Sequence, residues 1–112
     1  MMAPTITIGE LQEVGDEVTV KVSGVLNGRT GNELASALGD PLPSWLTLDF
    51  AEVDVHHSGF TRMVVMQAMN KRSNIRLVKV KPEARRVIEH CQGKDGVIKV
   101  EYASDDENRE VA

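Results

Sequence analysis

The chain has 112 residues, a formal net charge of −4, 41% hydrophobic and 27% charged residues. That allows one packed core and no second, in proportions ordinary for a globular protein. Nothing supplies a phosphate-neutralising surface, which excludes a general nucleic-acid binder, and no apolar run reaches the length that inserts across a bilayer.

The charge is unevenly spread. SDDENREVA at 104–112 carries four acids against Arg109, so the expectation is one nearly neutral domain over 1–103 and a solvated, disordered acidic tail over 104–112. The start MMAPTITIGE has neither the basic opening nor the apolar block of a signal peptide. Cys91 is the sole cysteine, which rules out an internal disulfide and fits a reducing compartment. These features lead to the expectation of a cytoplasmic protein.

TITIGEL at 5–11 predicts a strand that turns back through Gly15 and Asp16 into EVTVKVSG. There Val18, Val20 and Val22 alternate with Glu17, Thr19 and Lys21, giving one buried and one wet face. RTGNELASAL predicts a short helix, with Leu34 and Leu38 one turn apart, and Pro41 and Pro43 end it. WLTLDF is a strand through Leu46, Leu48 and Phe50, followed by a helix over 58–72 that closes in NKRSN. IRLVKVK is a strand. Pro82 suits the first turn of the next helix, where Ala84, Val87, Ile88 and Cys91 follow i, i+3, i+4, i+7 spacing and Gly93 is a natural stop. VIKVEY closes the domain.

The order β-β-α-β-α-β-α-β predicts an α/β fold on a small mixed sheet of about five strands, with parallel crossovers after an antiparallel opening pair. Several strands keep a polar face, so the helices are expected mainly on one side of the sheet.

VDVHHSGFTR at 53–62 holds the residues that invite chemistry. His56, His57, His90 and Cys91 would be the ligands of a small His-dependent metalloenzyme. Adjacent histidines point opposite ways, however, and no second cluster of closely spaced ligands exists, so neither a metal nor a cofactor is expected. Ser58 next to His57 is no better as a nucleophile, because a serine–histidine–acid unit needs its base within hydrogen-bond reach and oriented by a third group. HSGF is not the GxSxG elbow, and GKDG at 93–96 lacks the phosphate-loop pattern. No enzyme is expected. Ser58 instead reads as a helix N-cap. The same terminus would welcome a phosphate on that serine, adding about −1.5 to −2 charges, and the two readings are compatible. Behind it, Phe60, Met63, Val64, Val65, Met66, Ala68 and Met69 wrap most of the helix, interrupted by Thr61, Arg62 and Gln67. That pattern fits deep burial or a partner surface.

Four stretches, in this order, resemble the STAS domain of sulphate transporters and anti-sigma-factor antagonists. VTVKVSGVLNGRTGNEL resembles its second strand, G-x-L-[DN] turn and first helix; LTLDFAEVDVHHSGF resembles its central strand and D-x-S-G segment. IRLVKV and KPEARRVIEHCQGKDGVIKV resemble the late strand, third helix and closing strand, and the likeness spans about residues 5–102. It implies a regulated protein-binding module. In antagonist members the serine before the glycine is phosphorylated by an anti-sigma factor acting as a kinase, which blocks binding. The position of that serine is Ser58 here, and Asn27 is the polar turn residue at the partner-facing edge. The implied docking surface comprises Asn27, His56, His57, Ser58, Gly59, Phe60 and Arg62. His56 departs from the family by standing where an acid is usual, and Arg62 or Thr61 departs where a small residue is. A constitutive accessory subunit gripping the ATPase of an ABC-type lipid transport system, with Ser58 never modified, is the alternative within the same resemblance.

Overall fold

Three connections of the same hand determine the architecture. In the computed structural model, which describes residues 5–38, 43–93, 96 and 98–102, the elements run β1 Ile6–Ile8, β2 Gln12–Val14, β3 Glu17–Leu26, α1 Gly28–Leu38, β4 Trp45–Val55, α2 His57–Met69, β5 Asn74–Val80, α3 Pro82–Gln92 and β6 Lys99–Tyr102. The sheet order is β1-β3-β4-β5-β6, with β2 also paired to β3. β1 and β2 run antiparallel to β3, and β3 to β6 are mutually parallel. Each crossover steps the same way across the sheet. Right-handed crossovers stepping one way leave every helix on one face, and α1, α2 and α3 indeed pack side by side there. Val18, Val20 and Val22 point into this layer while Thr19 and Lys21 stay wet.

The opposite face is open and carries the ion pairs Lys21–Glu52 (3.7 Å), Lys79–Asp49 (3.8 Å) and Lys81–Asp54 (3.1 Å). Such exposed pairs contribute little stability each, but they keep the uncovered face hydrophilic.

The mixed sheet and one-sided helices agree with the expectation, and the strand inventory needs two corrections. The opening strand expected over 5–11 covers only Ile6–Ile8, and a further short strand, β2, follows it at Gln12–Val14, so the sheet has six strands among the described residues. The central strand continues to Val55 instead of ending at Phe50. Its register explains both the length and the difficulty of reading it. Lys21 pairs with Asp49 but Ser23 pairs with Glu52, so β4 holds one extra residue, a β-bulge. The buried set shifts phase there, from Leu46, Leu48 and Phe50 to Val53 and Val55. Without the extra residue, Glu52 and Asp54 would turn into the core. The Asp49 carboxylate accepts the Ala51 N–H at 3.0 Å and so steadies the bulge. β5 carries a matching irregularity beside it, between Leu77 and Val80, where Lys79 takes φ +57°.

α3 starts with Pro82 in its first turn and stops at Gly93, whose N–H reaches the Glu89 carbonyl at 2.9 Å, both as expected. α2 differs: it runs 57–69, one residue earlier and three shorter at its end than predicted. Pro41 and the 104–112 tail lie outside the described residues. Phe50, Phe60, Leu26, Leu34, Leu48, Met63, Ile75, Leu77 and Ile88 are fully buried between sheet and helices. Among the described residues no helix is long and apolar enough to cross a membrane.

Candidate functional site

At the C-terminal edge of the parallel strands, the turns after β3 and β4 lie together, joined where the His56 N–H donates to the Leu26 carbonyl at 2.9 Å. Each turn feeds a helix, so the N-termini of α1 and α2 converge. Asn27 caps α1: its Oδ1 accepts the N–H groups of Arg29 (3.0 Å) and Thr30 (2.9 Å). Thr30 answers reciprocally, its Oγ1 accepting the Asn27 N–H at 2.8 Å and donating to the Val25 carbonyl at 2.6 Å. This is the logic of a capping box, with threonine as the third-position partner. Asn27→Ala therefore removes the acceptor of two amide groups and is expected to cost about 1–2 kcal/mol, with Asn27→Asp restoring most of it; urea denaturation of the two variants checks this.

Ser58 is not the N-cap of α2. His56 is, in an extended conformation (φ −103°, ψ 155°) and with no side-chain bond to the helix end; its carbonyl accepts the first helical bond, from Phe60 N–H at 3.0 Å. Ser58 is the second helical residue. Its Oγ accepts the Gly28 N–H of α1 at 2.9 Å, so the hydroxyl bridges two helix starts while the side chain stays at the surface.

Directly beneath, Gly59 is buried against the β3–α1 turn. A Cβ there would collide with the Leu26 carbonyl oxygen and lie 2.5 Å from Leu26 C and 2.7 Å from Asn27 N. One turn on, Gly31 of α1 makes room for the Arg62 stem; a Cβ on it would sit 3.2 Å from both Arg62 Cβ and Cγ. Gly31 thus lets α1 lie close against Arg62. That glycine was the sequence signal for this approach, and it passes unnoticed in a helix read only by its leucines.

Asn27, His56, His57, Ser58 and Arg62 reach the surface of this corner, and Gly59 lies just behind them. Phe60 does not belong to the surface. It is fully buried, so its place in the implied docking set is corrected to core. Arg62 is half-buried, and its Nε is shielded from water with no hydrogen-bond partner among the described residues. His57 and His90 come together as an edge-to-face pair with ring centres 5.3 Å apart. The Cys91 thiol donates to the His57 carbonyl at 3.8 Å. No group of three or more His, Cys, Asp or Glu side chains among the described residues is arranged to hold a metal ion.

The apolar wrap of α2 divides between its two readings. Phe60, Met63 and Met66 are buried, whereas Val65 is 40% and Met69 77% exposed. Gln67, one of the expected polar interruptions, is buried and bonded.

Sheet, helices and converging corner together define a STAS-type fold. Among solved structures, the chain is similar to the crystal structure of an anti-sigma factor antagonist from Mycobacterium paratuberculosis. The TM-score is 0.63 at 19% identity, over 95% of this chain and 92% of that one. No family model and no curated protein sequence matches.

Proposed function

We propose that the protein is a non-enzymatic regulatory module that binds a protein partner through the α1/α2 corner, as an anti-sigma-factor antagonist does, with Ser58 as a phosphorylation switch. The observation carrying this reading is the placement of the Ser58 hydroxyl. It is at the surface, 2.9 Å from the Gly28 amide, where two helix N-termini meet and no side chain caps α2. Phosphorylation would put about −1.5 to −2 charges there, where both helix dipoles favour an anion. Arg62 is one helical turn along, at the i+4 spacing that brings side chains together, and a guanidinium so placed pairs well with phosphate oxygens. The modified helix start would remain folded, so the effect falls on the partner: the docking surface of Asn27, His56, His57, Ser58 and Arg62 changes charge without changing shape. The proposed partner is an anti-sigma factor with serine-kinase activity, the setting is transcriptional control in the cytoplasm, and no cofactor takes part.

Capture from native lysate with the full chain as bait, followed by intact-mass measurement of the bound and free protein, identifies the partner class and any phosphate. With the partner in hand, Ser58→Asp is expected to weaken binding by at least about tenfold, which corresponds to about 1.4 kcal/mol, while Ser58→Ala binds as the wild type. Equal affinities for both would remove the switch and leave constitutive docking, as in the ABC-transport alternative.

A further inference from the structure

We propose that the chain forms a two-fold homodimer through the edge of the sheet opposite the Ser58 corner, where the N-terminal ends of the parallel strands meet the C-terminal ends of α1 and α2. The proposal depends neither on modification of Ser58 nor on a further partner, and it leaves that corner open in each protomer.

Exposed apolar surface is concentrated at this edge. Among the described residues five large hydrophobic side chains are exposed, and four of them lie here: Leu11 (41%), Val14 (76%), Trp45 (46%) and Met69. Apolar surface gathered in one place marks a contact with another chain, whereas single scattered residues do not. One row of the sheet carries two of the four, for Val14 pairs with Glu17, Glu17 with Trp45 and Trp45 with Asn74. Two open grooves adjoin this row. Leu11, Glu13, Asp16 and Leu38 line one; Met69, Lys71 and Arg72 line the other; Ser44 belongs to both. Main-chain bonds hold the grooves side by side: the Trp45 N–H donates to the Asp16 carbonyl at 3.3 Å and the Asn74 N–H to the Ser44 carbonyl at 2.8 Å.

The charges identify the occupant. The first groove is acidic, through Glu13 and Asp16 with Glu17 beside them, and the second is basic, through Lys71 and Arg72. None of these five side chains has an ion-pair partner among the described residues, unlike Lys21, Lys79 and Lys81 on the open face. A surface with one acidic and one basic half, divided at Ser44, is its own complement. A two-fold rotation about Ser44 sets the acidic half of each protomer against the basic half of the other, the isologous arrangement of a two-fold homodimer. Leu11 then meets the partner's Met69, whose unbranched side chain adapts to such a contact. Apolar contact supplies the attraction and the charges set the orientation. A partner of one sign would satisfy only half of this edge.

Size-exclusion chromatography of the full chain with light-scattering mass measurement tests the dimer. At about 100 µM the expected mass is twice the 12.3 kDa of one chain, falling toward that of one chain on dilution. Glu13→Lys with Asp16→Lys makes both halves basic, and Lys71→Glu with Arg72→Glu makes both acidic. Each double variant alone should dimerise at least about tenfold more weakly than wild type. An equimolar mixture of the two restores opposite charges at both contacts and should recover twice the chain mass, which also shows that both variants fold. The dimer is overturned if the wild type keeps the mass of one chain at every concentration, if either double variant dimerises as strongly as wild type, or if the mixture stays monomeric.

Discussion

Replacing Gly59 with alanine should lower the melting temperature by roughly 10 °C or more. Two effects oppose each other. In a helix interior alanine is favoured over glycine by about 1 kcal/mol, which by itself would stabilise α2. Against this, the new Cβ would lie 2.5 Å from Leu26 C and 2.7 Å from Asn27 N and would meet the Leu26 carbonyl oxygen. Those atoms are backbone, so no rotamer change relieves the contact. Either α2 withdraws from the β3–α1 turn or the turn shifts, breaking the His56–Leu26 hydrogen bond and the Ser58–Gly28 bridge with it. Overpacking of this kind costs about 1–3 kcal/mol and occasionally more; the upper end is expected, and in a domain of this size each kcal/mol moves the midpoint by about 4–8 °C. Gly93 is the comparison for backbone strain alone. It has φ +68° and ψ −164°, a region that is essentially glycine's own, and a Cβ added there would meet nothing within 4 Å, so Gly93→Ala carries a backbone penalty of about 1–3 kcal/mol and no steric clash. A Gly59→Ala protein melting as high as the wild type would refute the close-approach account.

The features that a sequence reader recovers here are those whose cause is local. Val18, Val20 and Val22 alternate because β3 has one wet face, and Pro82 and Gly93 bracket α3 because each sets its own backbone angle. The one-sided helix layer follows from element order and crossover hand. Where the cause lies across the sheet, local pattern misleads. β4 looks finished at Phe50 because the bulge at Ala51 breaks its period, and only the pairing of Ser23 with Glu52 shows that the strand goes on. Ser58 is a favoured capping residue, yet its hydroxyl serves an amide thirty positions earlier while His56 takes the cap position without a side-chain bond. Phe60 sits two residues from the surface serine, and a helical turn of about 100° per residue is enough to carry it into the core. Nothing between positions 57 and 90 announces that their rings meet.

Gln67 offers the second large effect. Amid apolar neighbours it reads as the wet side of α2, but it is only 6% exposed. Its Nε2 donates to the Ser73 carbonyl at 2.7 Å and to the Asn70 carbonyl at 3.3 Å, and its Oε1 accepts the Ile75 N–H at 2.7 Å. One side chain thereby supports the whole turn from the end of α2 into β5. Gln67→Leu keeps the volume and removes all three bonds. Leaving a buried amide such as that of Ile75 without an acceptor costs about 1–3 kcal/mol, so a total loss of about 3 kcal/mol is expected in urea denaturation. Gln67→Glu separates hydrogen bonding from shape. Ionised, its carboxylate still accepts from Ile75 but faces two carbonyl oxygens it cannot donate to, and burial adds a desolvation cost. Both effects favour the protonated acid in the folded state, so its folded pKa lies above the unfolded one. The folded state then holds more protons, and stability falls as pH rises through that range. Gln67→Glu should therefore be less stable than Gln67→Leu at pH 8, with the gap narrowing at pH 5. Gln67→Leu melting within a degree of wild type would show that the turn does not depend on this side chain.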